Sequence, residues 1–165
     1  MRKRLSFRNR LKIVAGAPLL AVLLLVVAAG IPFYFAYRLL LRLFVELIWV
    51  PRGRRILLVY SRSPVWQPYI EANWLPRLGD KVVVLNWSDR QEWLRSNALA
   101  ARVFRHWKQR DNFNPMILMF WGVVRTRRIG LYHAFHDFKK GRQQSLRAAE
   151  SKLFAFADGN RRPRA

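Results

Sequence analysis

The pattern of hydrophobic and polar positions separates one long apolar segment from a mixed region that follows it. Residues 13–37 carry no charged side chain. About 20 helical residues are enough to cross a hydrocarbon core of roughly 30 Å. The pattern therefore predicts a transmembrane helix over residues 13–37, preceded by a basic leader over residues 1–12.

Two alternatives to a single span stay open from the sequence. A cleaved signal peptide also starts with basic residues, but its apolar core usually extends over only about 7 to 15 residues. A re-entrant hairpin bending at Gly30–Pro32 would return both flanks to one side of the membrane. Because both flanks of the apolar segment are basic, the difference in charge between them does not predict its orientation in the membrane. A basic domain is attracted to the anionic cytoplasmic leaflet, which favours a cytoplasmic domain.

The sequence pattern over residues 38–50 predicts an amphipathic helix beside the membrane. Aromatic residues close the apolar run, as in the interfacial belts of membrane proteins. Arg38, Arg42 and Glu46 then follow at four-residue spacing, which places them on one narrow helix face. We expect this helix to lie in, or emerge from, the interface, and the soluble domain to begin at Pro51.

The first half of the soluble region predicts two buried strands. The apolar runs at residues 56–60 and 81–87 suit strands covered on both faces of a sheet. A helix between them begins near Gln67 and ends at Gly79, and such a crossover makes the strands parallel. The capping-box spacing of Ser88 and Gln91 then predicts a helix of about 20 residues.

The second half predicts an antiparallel hairpin and a last helix. Strands are expected over residues 116–124 and 129–135, with Arg125–Arg128 forming the tip between them. A helix follows over about residues 138–157, and a basic tail occupies residues 159–165. The domain, residues 51–158, thus has the predicted order β-α-β-α-β-β-α.

The composition of the chain favours an anionic partner and excludes reactions that need a cysteine thiol. The chain has 31 Lys and Arg against 9 Asp and Glu, a formal net charge of +22, and no cysteine. Such a surface attracts phospholipid headgroups or nucleic acid. Because the basic residues are spread along the domain and most tryptophans occupy periodic core positions, the lipid bilayer is favoured and nucleic acid is disfavoured. The residues expected at the membrane surface are Arg38, Arg42, Arg52, Arg54, Arg55, Arg125, Arg127 and Arg128.

The order of elements and two short motifs resemble the thioredoxin and glutaredoxin family. Ser63–Trp66 stands where that family has Cys-Pro-x-Cys, and Asn114–Met116 resembles its cis-proline loop. The resemblance covers about residues 55–157 and implies a thioredoxin-like α/β domain.

Thiol–disulfide exchange is excluded, because it needs a thiolate nucleophile and a second sulfur. The resemblance leaves an anion site at the turn after the first strand, where a helix start offers backbone N–H groups. The alternative, that Ser63–Pro64 only starts a helix, stays open. The candidate anion-binding residues are Arg62, Ser63, Trp66, Asn114 and Pro115.

Other catalytic or metal chemistry has little support in the sequence. His133 and His136, beside Asp137, have a spacing that converges only on a helix, whereas a strand end is predicted there. His106 is expected to face solvent. No Ser-His-Asp grouping or glycine-rich phosphate loop is identifiable in the sequence, and no cofactor or metal is expected.

These patterns predict a protein of the bacterial inner membrane with one hydrophobic anchor and a small cysteine-free domain. The expected function is a non-redox, thioredoxin-like interaction or scaffold module with a further protein partner. The alternative is a membrane-bound transferase or hydrolase that binds an anionic thiol or phosphate substrate at the Ser63 turn.

Overall fold

The computed structural model describes residues 7–96, 98–108 and 114–159. The chain divides into two compact units, with the division between Arg38 and Leu39. Helix α1 extends over Phe7–Phe44, so its last residues belong to the second unit. The expected basic leader up to residue 6 and the basic tail from residue 160 lie outside the described residues.

Helix α1 contains the long apolar segment. Among the described residues, one helical stretch, Pro18–Arg52, is long and apolar enough to cross a membrane. Its apolar side chains up to Arg38 are exposed. Pro18 and Pro32 both lie inside uninterrupted helix, so the chain does not bend back at Gly30–Pro32. The re-entrant hairpin is therefore not the conformation of this segment.

The described residues contain the strands β1 Ile56–Tyr60, β2 Val82–Asn86, β3 Met116–Trp121 and β4 Arg125–Gly130. They form a mixed sheet in the order β2–β1–β3–β4. Strand β1 pairs in parallel with β2 and antiparallel with β3, and β3 pairs antiparallel with β4. The first two strands are parallel neighbours as expected, because a helical crossover connects them.

Helical segments cover both faces of the sheet. The α-helices after α1 in the described residues are α2 Gln67–Asn73, α3 Leu75–Leu78, α4 Trp93–Ser96, α5 Ala98–Trp107, α6 Tyr132–Lys139 and α7 Gln144–Ala157. One core contains Trp74 and Phe135 between the sheet and α2, α3, α6 and α7. The other contains Phe104 and Phe120 between the sheet, α4, α5 and a helical segment over Val45–Arg52.

The capping box expected at Ser88 is not formed. Ser88 lies inside a 3₁₀ turn over Trp87–Asp89, where its N–H donates to Asn86 Oδ1 at 2.9 Å. The amide side chain of Asn86 thus takes the capping role, and α4 begins only at Trp93. The expected helix starts later because this turn occupies the residues assigned to its first turn.

The hairpin also differs from the expectation. Its turn is Gly122–Val124, and the arginines assigned to the tip lie within β4. An edge strand accepts such residues because their side chains reach solvent. The apolar run assigned to the fourth strand instead enters α6, where Leu131, Ala134 and Phe135 share the buried side of a helical turn.

Candidate membrane interface and candidate anion site

The segment from Leu39 to Ile48 packs on the sheet with its charged residues turned inward. Arg42 is 2% exposed. Its guanidinium donates to Glu46 Oε1 at 3.0 Å and to the backbone oxygen of Gly122. A helix between protein and water shows the reverse pattern, with apolar residues inward and charges outward. Arg42 therefore lies in the interior of the domain, and its partner Glu46 is half-buried, with 19% of its side chain exposed.

The opposite side of the same segment, which we call the outer face, is apolar. The exposed fractions of its side chains range from 39% at Ile48 to 72% at Leu47. Charged residues of helices in hydrocarbon face the protein and pair with one another or with backbone carbonyls. The outer face consists of Leu39, Leu40, Leu43, Phe44, Leu47 and Ile48.

This packing changes two expectations from the sequence. Arg42 was expected at the membrane surface, but it lies in the interior with its guanidinium 4.7 Å from the centre of the Phe120 ring. The domain was expected to begin at Pro51, yet Trp49 packs at 5.9 Å from the same ring and the compact unit begins at Leu39. The apolar side chains at residues 45 and 49 fill a sheet face that a domain beginning at residue 51 would leave uncovered.

The other arginines expected at the membrane surface lie at or near the surface of the molecule. Arg52 also donates to the backbone oxygen of Ile48, and Arg128 donates to that of Trp107 at 3.2 Å. Strand β4 presents three of these arginines along one edge of the sheet. Five of these arginines are exposed, namely Arg52, Arg55, Arg125, Arg127 and Arg128, and two are half-buried, namely Arg38 and Arg54.

A groove of about 400 Å³ separates β4 from α6 and α7. Arg127, His133 and Lys152 line it, and the described residues around it include no acidic side chain. A concave surface lined by charge of one sign concentrates counter-ions. This basic groove therefore favours an anionic ligand or surface.

The turn after β1 uses its polar groups in internal contacts. The Arg62 guanidinium pairs with Asp89 Oδ1 at 2.6 Å, and its backbone N–H donates to Ser88 Oγ at 3.1 Å. Ser63 Oγ accepts from the Val65 N–H at 3.3 Å. The Arg62 charge predicted to hold an anion is thus paired within the domain, whereas the contact of Ser63 uses its oxygen as acceptor and not the hydroxyl proton that would donate to an anion. The anion site stays a prediction.

The remaining members of that predicted site lie at the same end of the sheet. Trp66 Nε1 donates to the backbone oxygen of Ser61 at 3.2 Å, and α2 begins only after it. The Asn114–Pro115 peptide bond is cis. Because Met116 pairs with Val59, this bond lies beside the carboxyl end of β1, where the turn begins. The fold brings the two motifs together, although they are far apart in sequence.

His133 and His136 lie on α6, not at a strand end, and both are exposed. Asp137 accepts from Arg142 Nη2 at 2.6 Å, and this hydrogen bond holds the pKa of its carboxyl below the ordinary value. Within the described ranges, no group of three His, Asp or Glu side chains is placed to hold a metal. His106, expected to face solvent, is half-buried.

One polar cluster could not be found from the sequence because its members are far apart. Glu150 Oε1 accepts from Tyr69 Oη and Trp74 Nε1, both at 2.7 Å. Burial, with this hydrogen bond to the carboxylate, raises the pKa of Tyr69 to about 12. Burial and the hydrogen bond to Glu71 likewise raise the pKa of Tyr60 to about 12. These contacts connect α2 to α7 and to β1.

No family model, curated protein or solved structure matches this chain. The structure establishes a helix long and apolar enough to cross a membrane and a domain built on a four-stranded mixed sheet. The functional conclusion therefore depends on the geometry of this chain alone.

Proposed function

We propose that this chain is a membrane-anchored interaction module, in which a non-redox, thioredoxin-like domain is held against the anionic surface of a bacterial inner membrane. The observation that supports it is the buried Arg42, paired with the half-buried Glu46, on the side of the segment opposite an apolar outer face. In water this arrangement would be unfavourable, because it buries a charged side chain and exposes leucine side chains. Against lipid, both placements are favourable.

The sheet supports the thioredoxin-like part of the proposal. Its order β2–β1–β3–β4 and its parallel β1–β2 pair agree with a thioredoxin-like arrangement, and Pro115 directly precedes β3, as the resemblance implies. Ser63–Trp66 occupies the turn where the family carries its cysteines. A scaffold of this kind without sulfur keeps surfaces for binding but not for electron exchange.

The distribution of charge supports an anionic membrane as the surface that the domain meets. Arg125, Arg127 and Arg128 lie along the β4 edge, and the basic groove adjoins it. Each basic residue close to an anionic leaflet contributes about 1 kcal/mol of attraction. Because the cytoplasmic leaflet carries the anionic lipids, the proposal places the domain on the cytoplasmic side.

The proposal is tested with the full chain in lipid nanodiscs. A single cysteine introduced by Ser151→Cys, at an exposed position of α7, carries a donor fluorophore, and labelled headgroups carry the acceptor. Since the chain has no cysteine, labelling is site-specific. We expect higher transfer efficiency in anionic than in neutral nanodiscs. The difference should shrink as salt shortens the Debye length from about 10 Å at 0.1 M to about 3 Å at 1 M.

Two variants that each lose three positive charges distinguish binding through the β4 edge from a general effect of net charge. Replacing Arg125, Arg127 and Arg128 with glutamine should remove most of the difference between anionic and neutral lipid. Three exposed arginines of another surface are Arg95, Arg102 and Arg105. Replacing them with glutamine should leave most of the difference between anionic and neutral lipid. Equal transfer efficiency in both lipids for the unmodified surface would refute electrostatic docking.

A further inference from the structure

The turn between β3 and β4 carries two valines where polar residues are usual. Val123 and Val124 follow Gly122, whose φ of +54° explains the glycine. Val124 is 86% exposed and Val123 is 39% exposed. Surface valines need no explanation singly, but an adjacent exposed pair at a hairpin tip extends an apolar surface into solvent.

This turn is held against the inner side of the Leu39–Ile48 segment by a buried contact. The backbone oxygen of Gly122 accepts from Arg42, whose guanidinium also lies over the ring of Phe120 in β3. Arg42 belongs to the same helical segment as Leu43 and Leu47, which point away from the protein. One buried arginine thus holds the hairpin tip against the segment that carries the outer face.

We infer that the Gly122–Val124 turn inserts into the lipid interface as a second membrane contact of the domain. The inference rests on the proposed membrane placement of the outer face. Lipid is the occupant because the turn is bonded through Arg42 to the segment that carries the outer face, and this segment continues in the chain from the long apolar helix. Arg125 and Arg127 follow directly, and an apolar tip backed by arginines suits an interface in which guanidinium groups meet phosphates.

The test uses the full chain with a single cysteine, Val124→Cys, labelled with a polarity-sensitive fluorophore and reconstituted in neutral-lipid nanodiscs. Neutral lipid separates this inference from electrostatic docking, which requires anionic headgroups. We expect blue-shifted emission and quenching by lipids that carry a nitroxide near the headgroup. The same label at Ser151→Cys, exposed on α7, should show neither change.

Circular dichroism of both labelled proteins verifies that the domain is folded, and Val124 tolerates substitution because it is exposed. Emission at position 124 equal to that at position 151 would overturn the inference. Blue-shifted emission without nitroxide quenching would also overturn it, because the tip would then contact protein instead of lipid. If docking to anionic lipid fails while position 124 is still quenched, the proposed electrostatic function is wrong and lipid insertion stands.

Discussion

Replacing Leu41 with alanine is expected to destabilise the domain, although Leu41 lies in the same helix as the apolar span. Leu41 is 3% exposed and therefore almost entirely inside the second unit. The substitution removes three carbon atoms at about 0.8 kcal/mol each, or about 2.4 kcal/mol of transfer free energy. The remaining cavity adds to this loss, so we expect a decrease of about 3 kcal/mol in the free energy of unfolding.

Leu47→Ala is the matched control, because it makes the same chemical change in the same segment. Leu47 is 72% exposed on the outer face, so about a quarter of its side chain is buried. The same arithmetic then predicts a loss of only about 0.7 kcal/mol. The two variants should therefore differ by more than 2 kcal/mol, roughly thirtyfold in the unfolding equilibrium constant.

The measurement is urea unfolding of the full chain in a non-ionic detergent, followed by near-ultraviolet circular dichroism. That signal reports the packing of buried aromatic rings such as Trp74 and Phe104. Equal losses for the two variants would refute the assignment of an inner and an outer face. A loss below about 0.5 kcal/mol for Leu41→Ala would show that the folded domain does not include this helix.

Two further predictions concern the buried phenols and the turn after β1. The pKa values of Tyr60 and Tyr69, both raised to about 12, exceed the unfolded value of about 10, so their contribution to stability is complete below pH 10. Because the folded state favours the neutral phenol, this contribution should be lost as the pH rises through about 12. Urea midpoints across this range should decline, less steeply in Tyr69→Phe, and an identical decline in that variant would contradict the assignment. Titration with glutathione or inorganic phosphate should leave the amide signals of residues 61–67 unchanged, since Arg62 is paired with Asp89, whereas a saturable shift would favour the transferase or hydrolase alternative.

The long apolar helix and the first two strands could be predicted because their signals are local. An uncharged run of residues 13–37 and the apolar runs that become β1 and β2 need no knowledge of distant partners. Strand β4 could not be predicted in this way. Its sequence, RTRRIG, has one large apolar residue, and it pairs only because β3 offers a free edge.

The side of the helix over residues 39–50 that meets the protein could not be predicted, for a different reason. Periodicity shows that Arg42 and Glu46 share one face, but it does not say whether that face meets protein or surroundings. The usual assumption, that charges point outward, holds only when the surroundings are water. The contact that decides the matter is with Gly122, far along the chain, and no spacing in the sequence reveals it.

The contacts of the candidate anion site were likewise only partly predictable from the sequence. Ser63 and Pro115 were placed together through a resemblance, and the sheet does bring their segments to one end of β1. What the sequence could not reveal is that Asp89 pairs with Arg62 and that Ser88 accepts from its backbone. These partners come from the turn after β2, which reaches β1 only once the parallel pair has formed.

The orientation of the Leu39–Ile48 segment is the one expected beside lipid. Rotating this segment by about half a turn would release Arg42 and Glu46 to the surroundings and bury leucines such as Leu43 and Leu47 against the sheet. In water both changes would lower the free energy, since buried ion pairs repay their desolvation poorly and exposed leucine gains from burial. In hydrocarbon both changes reverse sign, because the charges would lose their partners and the leucines would gain nothing. The observed orientation therefore supports the proposed membrane placement, in which lipid outside the domain accounts for the buried arginine.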